Sequence, residues 1–378
     1  MIYLDNAATT QLLPEVKREM IDYIESELFG NPSSIHHKGR KAKSVIENAR
    51  DIIADSINAD ASEIVFTSSG SESINSAIIG AVLANHNRGK HIITSSIEHH
   101  AVLDTCKYLD KLGWEITYLP VNKQGKVEID SLIASIRQDT VLVSIMYANN
   151  ETGAIQPIEE IAKCLVDKNV IFHCDMVQAY GQIPINMQEV PIDLLSASAH
   201  KIHGPKGIGM LYIRKELNWH PYIHGGKQER GRRAGTENVL GIIGFAKAVD
   251  VSFNKLQSKR EHISLLKNTF LDIIIKDLAD DKWVLNSHLD GLPSILNISF
   301  PQINAETLLI QLDMLGIACS HGSACTSGSL ESSHVLKAIG VDESILNTAI
   351  RFSFSQLNNI EEVTIAVSKI VEILSKQK

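Results

Sequence analysis

Short apolar runs alternate with amphipathic stretches as far as Ile213, and this alternation constrains the fold more than any other feature. Glu63–Thr67, His91–Ser95, Glu115–Leu119, Val141–Met146, Val170–Cys174 and Leu194–Ala197 read as strands. The stretches up to about Asn85, His99–Leu112, Asp130–Arg137 and Ile158–Asp167 read as the helices between them, and Pro14–Leu28 and Lys38–Ile57 as two helices before them. Such βα repetition predicts a mainly parallel sheet with helices on both faces. Ligands of these sheets gather beyond the carboxyl ends of the strands. Polar clusters fall there: Glu98-His99-His100, Asn149-Asn150-Glu151, Asp175 with Gln178, and Ser198 with His200-Lys201.

The stretch Leu194–Gly209 reads as strand, Gly/Pro turn, then a second strand over Ile208–Ile213. It displays Lys201 at the end of the first strand. A lysine held among small residues and partly desolvated loses its proton and forms a Schiff base with an aldehyde. Pyridoxal phosphate (PLP) is the aldehyde most often held this way, and its phosphate needs hydroxyls and backbone N–H groups nearby. The plain alternative is a surface lysine beside a turn. Ser68-Ser69-Gly70-Ser71-Glu72-Ser73 joins a strand to a helix, so free N–H groups and small hydroxyls favour an anion there. It is neither a Walker loop nor a dinucleotide fingerprint. Helix capping by Ser71 with Glu72 and Ser73 is the structural alternative.

The pattern changes after a Gly/Arg-rich loop, residues 225–236. A helical region runs from about Glu237 to Leu278, with a break near Asp250. Ile295–Phe300, Ile317–Cys319 and Ile350–Phe354 read as strands, and Ala305–Leu315, Val335–Ile339 and Ile360–Ser375 as helices, a smaller α+β unit. Within it, residues 320–333 are nearly all small, with Cys325 near the middle and nothing bulky to bury a thiol. An exposed thiol on a long loop suits a nucleophile that must travel. A Ser/Gly linker, or a metal site using Cys319, His321 and Cys325, are the alternatives.

Net charge is −8, which argues against a nucleic-acid binder. No apolar run has the length of a membrane span, and Met1–Asp5 carries no signal-peptide pattern, so a cytoplasmic protein is expected. Five cysteines without Cys-x-x-Cys spacing disfavour a disulfide framework or a structural metal site, so no metal is expected. Cys106, Cys164 and Cys174 read as small buried hydrophobes.

Taken in order, several motifs resemble those of the NifS/IscS-type cysteine desulfurases, class-V aminotransferase relatives of PLP fold type I. They are Tyr3-Leu4-Asp5-Asn6-Ala7-Ala8-Thr9-Thr10, Phe29-Gly30-Asn31-Pro32-Ser33, Glu98-His99 with Ala101-Val102, and Asn149-Asn150-Glu151-Thr152-Gly153. Asp175 with Gln178, Ser198-Ala199-His200-Lys201, Arg233-Ala234-Gly235-Thr236 and Gly322-Ser323-Ala324-Cys325-Thr326-Ser327 complete the set. The resemblance covers essentially the whole chain. It implies an aspartate-aminotransferase-like fold: a large PLP-binding domain, residues 13–251, with a mainly parallel seven-stranded sheet. Residues 1–12 and 252–378 would form the small α+β domain.

The resemblance also implies roles. Lys201 would hold PLP and move the substrate Cα proton. Asp175 would pair with the pyridinium nitrogen, His99 would stack on the ring, and Gln178 would hydrogen-bond the ring oxygen. Gly70, Ser71, Ser198 and His200 would hold the phosphate, with Thr236 arriving from the second subunit of a homodimer. Asn150 and Arg351 would bind the substrate carboxylate; an ordinary salt bridge is the alternative for Arg351. Cys325 would take sulfur from L-cysteine as a persulfide, releasing alanine. A protein acceptor would receive it, an iron–sulfur scaffold or a tRNA- or cofactor-thiolation enzyme. A selenocysteine lyase or an aminotransferase on the same fold would keep Lys201 and Asp175 without needing Cys325. Ser332 and the pair Cys319 and His321 depart from the residues usual in the family near this loop.

Overall fold

The computed structural model describes residues 1–322 and 332–376. Cys325 and most of the loop around it therefore lie outside the described residues. In the large sheet the strands are β2 (Ile64–Thr67), β3 (His91–Ser95), β4 (Glu115–Leu119), β5 (Thr140–Met146), β6 (Ile171–Asp175), β7 (Leu194–Ser198) and β8 (Gly209–Ile213). They lie in the spatial order β2-β8-β7-β6-β5-β3-β4. The sheet is seven-stranded and mainly parallel, with β8 alone running antiparallel, between β2 and β7. The hairpin through Lys201 forces that reversal: a short turn cannot return a strand in parallel.

Because both faces are covered, every strand of the large sheet but the edge strand β4 is buried along its whole length. On one face Val143, Ile145, Phe172, Leu195 and Met210 join one core. On the other, Val65, Ile92, Leu142, Ile171 and Leu211 pack with α3 (Gly70–Ala84) and α4 (His100–Asp110). The alternation of side chains along each strand assigns the two faces.

A third core belongs to the C-terminal part and includes Phe270, Leu296, Phe300, Phe352 and Val367, together with Leu4 from the N-terminus. It covers a three-stranded antiparallel sheet in the order β12 (Ala349–Ser353), β10 (Ile295–Ser299), β9 (Val284–Leu285). The first strand, β1 (Ile2–Tyr3), pairs in parallel with β11 (Ile317–Ala318). The helical break falls at Lys255, not near Asp250: α7 (Val239–Asn254) stops there and α8 (Leu256–Asp277) begins. No proline or glycine marks the spot. The two helices serve different bodies, α7 packing on α1 (Pro14–Glu25) and α2 (His37–Asp55), and α8 on α11 (Ile360–Ser375).

Candidate active site

The carboxyl ends of β3, β5, β6 and β7 open into a cleft of about 820 Å³. Lys201, Gly70, Ser71, His99, Asn150, Asp175, Gln178, Ser198, His200 and Arg351 all line it. Thr236 is exposed elsewhere and is not among the lining residues of this single chain.

Lys201 sits in a tight turn, residues 199–201, directly after β7. Its Nζ donates to the carbonyls of Ala7 and Ala8, at 2.8 Å for Ala8. Ala7 O also accepts from Gln178 Nε2 at 3.0 Å. Thr10 then ties the same N-terminal segment down through two bonds to the His200 carbonyl, at 2.8 and 2.9 Å. The N-terminus is thus part of the site wall.

Asp175 ends β6, opposite Met146 on β5 and Ser196 on β7. Burial pushes its carboxyl up to about 6, against the N–H of Val177 and the charge of Lys201, which pull it down. His99 precedes α4, and its Nδ1 accepts from Ala101 N at 3.0 Å. That bond assigns the ring proton to Nε2. Burial and the positive Lys201 push His99 down to about 4, so the ring is neutral at physiological pH. Burial does the same to His200, whose Nδ1 meets Thr9 Oγ1 at 3.2 Å.

The start of α3 is capped by Ser69, whose side chain accepts from Glu72 N, and not by Ser71. Ser73 is committed to the Met210 carbonyl, and Glu72 turns back to Ser68 N at 2.9 Å and pairs with Arg233 at 2.8 Å. Ser71 is left exposed at the cleft. A Cβ on Gly70 would lie 2.8 Å from Val177 Cγ2 and 3.4 Å from Ser198 Cβ, so only glycine fits this approach. The Gly/Arg-rich loop packs on this helix start. It is held by a buried two-bond pair between Arg50 and Glu229, at 2.7 and 2.8 Å, with Phe66 N also donating to Glu229.

Arg351, on β12, reaches the cleft from the smaller unit. It is both salt-bridged and cleft-lining: Nη2 meets Asp5 Oδ1 at 2.9 Å, and Nη1 donates to the Asn150 carbonyl at 2.9 Å. Among the described residues, its Nε and the hydroxyl of Ser198 are buried without a hydrogen-bond partner. Orphaned donors that line a cleft are open to a ligand. One lies beside the glycine cradle at the start of α3, where a phosphate fits. The other is a guanidinium shaped for a carboxylate. The residues present therefore fit PLP and an amino acid.

Sequence reasoning did not find the roles of Ala7, Ala8 and Asp5, although Asp5–Thr10 stood out as a motif; the carbonyls of Ala7 and Ala8 carry no side-chain signal, and Asp5 pairs with Arg351 from the far end of the chain. It also gave Glu98 no role. Glu98 is fully buried, and Met146 N and Ser95 Oγ donate to its Oε1 at 2.9 and 2.6 Å.

A lysine, a buried acid and a helix-start anion cradle on this sheet define a PLP-dependent enzyme of fold type I. The family model for class-V aminotransferases matches residues 2–365. The cysteine desulfurase IscS of Dictyoglomus turgidum is 47% identical over 375 residues, covering 99% of this chain and 95% of that protein. A solved structure titled as a NifS-like protein superposes with a TM-score of 0.92 at 40% identity, covering 99% of both chains. Another, SspA in complex with cysteine, gives 0.84 at 36% identity, over 94% of this chain and 99% of that one. The chain belongs to the class-V aminotransferase family, and within it to the NifS/IscS-type cysteine desulfurases.

Proposed function

We propose that this chain uses PLP to remove sulfur from L-cysteine, giving L-alanine and a persulfide on Cys325. The observation that carries this reading is the meeting of Lys201, Asp175, His99 and Arg351 in one cleft. In this reading Arg351 and Asn150 hold the substrate carboxylate, with Asp5 fixing the guanidinium plane. Gly70, Ser71, Ser198 and His200 hold the cofactor phosphate. Asp175 keeps a proton on the ring nitrogen, and Gln178 faces the ring oxygen. Bound PLP supplies an electron sink for the Cα–H electron pair of the substrate.

Lys201 Nζ takes and returns that proton. The neutral ring of His99 would stack on the cofactor ring, with Nδ1 held by Ala101 N. The Cys325 thiolate attacks the substrate sulfur: its S–S bond forms as the substrate C–S bond breaks, the electron pair goes to Cβ, and a proton there completes alanine. The persulfide then passes to a protein acceptor, an iron–sulfur scaffold or a thiolation enzyme. Residues 13–251 act as the cofactor-binding domain and residues 1–12 and 252–378 as its small companion. A homodimer brings Thr236 to the neighbouring phosphate, and a cytoplasmic location suits the thiol chemistry. Among the described residues no helix is long and apolar enough to cross a membrane.

Alanine release from L-cysteine, compared for the wild type and Cys325→Ala, tests the reading. Release by the wild type alone supports it. Equal release from both would remove Cys325 from the reaction and favour a lyase, such as one acting on selenocysteine.

A further inference from the structure

Gly322 and Ser332 flank the segment that carries Cys325, and one buried carboxylate is hydrogen-bonded on the segment's C-terminal side. Glu151 is 1% exposed and directly follows Asn150. Its backbone is fixed without its side chain: N donates to Asn149 Oδ1 at 2.9 Å, and O accepts from Asn297 Nδ2 on β10 at 3.2 Å. The side chain turns to the cysteine segment instead. Ser333 Oγ donates to Glu151 Oε2 at 2.5 Å, and itself accepts from Leu336 N at 3.1 Å at the start of α10 (His334–Ala338).

The next residue adds a second tie. His334 Nε2 donates to the Glu98 carbonyl at 3.0 Å, and its ring lies 5.1 Å from that of His100. On the other flank Gly322 has φ +52°, and a Cβ there would lie 3.0 Å from Glu151 Oε2 and 3.7 Å from Ser333 Cβ. Two residues earlier, Ser320 exchanges backbone bonds with Arg351, at 2.6 and 3.2 Å. The C-terminal flank is thus hydrogen-bonded to Glu151, while the N-terminal flank is held by the Arg351 backbone and passes close to the same carboxylate.

We propose that Glu151 is a positioning residue: its carboxylate clasps Ser333, the anchor on the C-terminal side of the cysteine segment, next to the substrate-binding Asn150, and so sets the rate at which Cys325 takes sulfur from the substrate. The proposal rests on the desulfurase reading and extends it. It separates binding from sulfur abstraction, since the substrate carboxylate is met by Arg351 and Asn150 while Glu151 acts only through the segment.

The test is a double-mutant cycle on the holoenzyme with Glu151→Ala, Ser333→Ala and the pair. L-cysteine affinity is read from the absorbance change of the bound cofactor, and Cys325 persulfide formation is followed in a single turnover. Each single variant is expected to slow persulfide formation about tenfold, the worth of a hydrogen bond to a charged group. Affinity is expected to stay within about twofold. The pair is expected to be no slower than the slower single variant, because both remove the same contact. Glu151→Gln, which retains an acceptor for Ser333, should recover most of the rate.

Ser333→Ala keeps the test open if Glu151→Ala does not fold, since it removes one hydroxyl. Undiminished persulfide formation in Ser333→Ala, or additive losses in the cycle, would overturn the clasp. So would a fall in affinity equal to the fall in rate. If wild type and Cys325→Ala release alanine equally, the desulfurase reading fails and the clasp with it. Release by the wild type alone, with Ser333→Ala unimpaired, overturns the clasp alone.

Discussion

Replacing Glu98 by glutamine should make the protein's stability much less sensitive to alkali. Burial, with Asp175 nearby, pushes the Glu98 carboxyl from 4.5 up to about 8. Its Oε2 has no hydrogen-bond partner among the described residues. The folded chain therefore keeps a proton that the unfolded chain releases above pH 4.5. The stability contributed by this group is fully present below that pH and falls by about 1.4 kcal/mol per unit as pH rises toward 8, then levels off. From pH 5.5 to 8 this amounts to about 3 kcal/mol. Glutamine offers the same oxygen to Ser95 and Met146 and has no proton to lose. Its spare N–H inherits the unpartnered position, so the variant starts with no advantage at low pH. Urea midpoints of the two proteins, measured side by side from pH 5.5 to 9, should diverge in favour of the variant by that amount and then run parallel. Parallel curves over the whole range would refute the reasoning, because they would mean that Glu98 releases its proton equally in both states.

Asp175→Asn should still bind the cofactor but form alanine at least about 100-fold more slowly, since an amide does not hold the ring proton; alanine assays alongside the cofactor spectrum check this. Arg351→Lys should raise KM for L-cysteine about tenfold or more, because a single ammonium nitrogen lacks the planar fork that reaches Asp5, Asn150 and the substrate from separate nitrogens. Glu229→Ala leaves Arg50 buried without its partner and should cost about 3–5 kcal/mol, read as a lowered unfolding midpoint.

Much of this fold was legible because both faces of the large sheet are covered. Runs such as Val141–Met146 are buried throughout and apolar but for Ser144, and the helices between them keep their stripe. Polar residues at the strand ends marked the cleft for the same reason: Asp175, Ser198 and Asn149 interrupt apolar patterns where only a ligand or a turn would want them. Two features were not legible. The break at Lys255 arises because α7 and α8 pack on different cores, and a contact between distant segments leaves no local mark. The wall supplied by Ala7 and Ala8 consists of backbone carbonyls, which every residue has. The cap weighed as the alternative role for Ser71 falls to Ser69, because serines at 68, 69, 71 and 73 compete for it and only the geometry of the strand end selects among them.

The most direct test of sulfur transfer to this chain is a mass measurement. The holoenzyme is given one equivalent of L-cysteine, quenched without reductant and digested. The peptide containing Cys325 should gain the mass of one sulfur atom, with alanine appearing in equal amount. Alanine formed with that peptide unmodified, and sulfide released instead, would contradict the account.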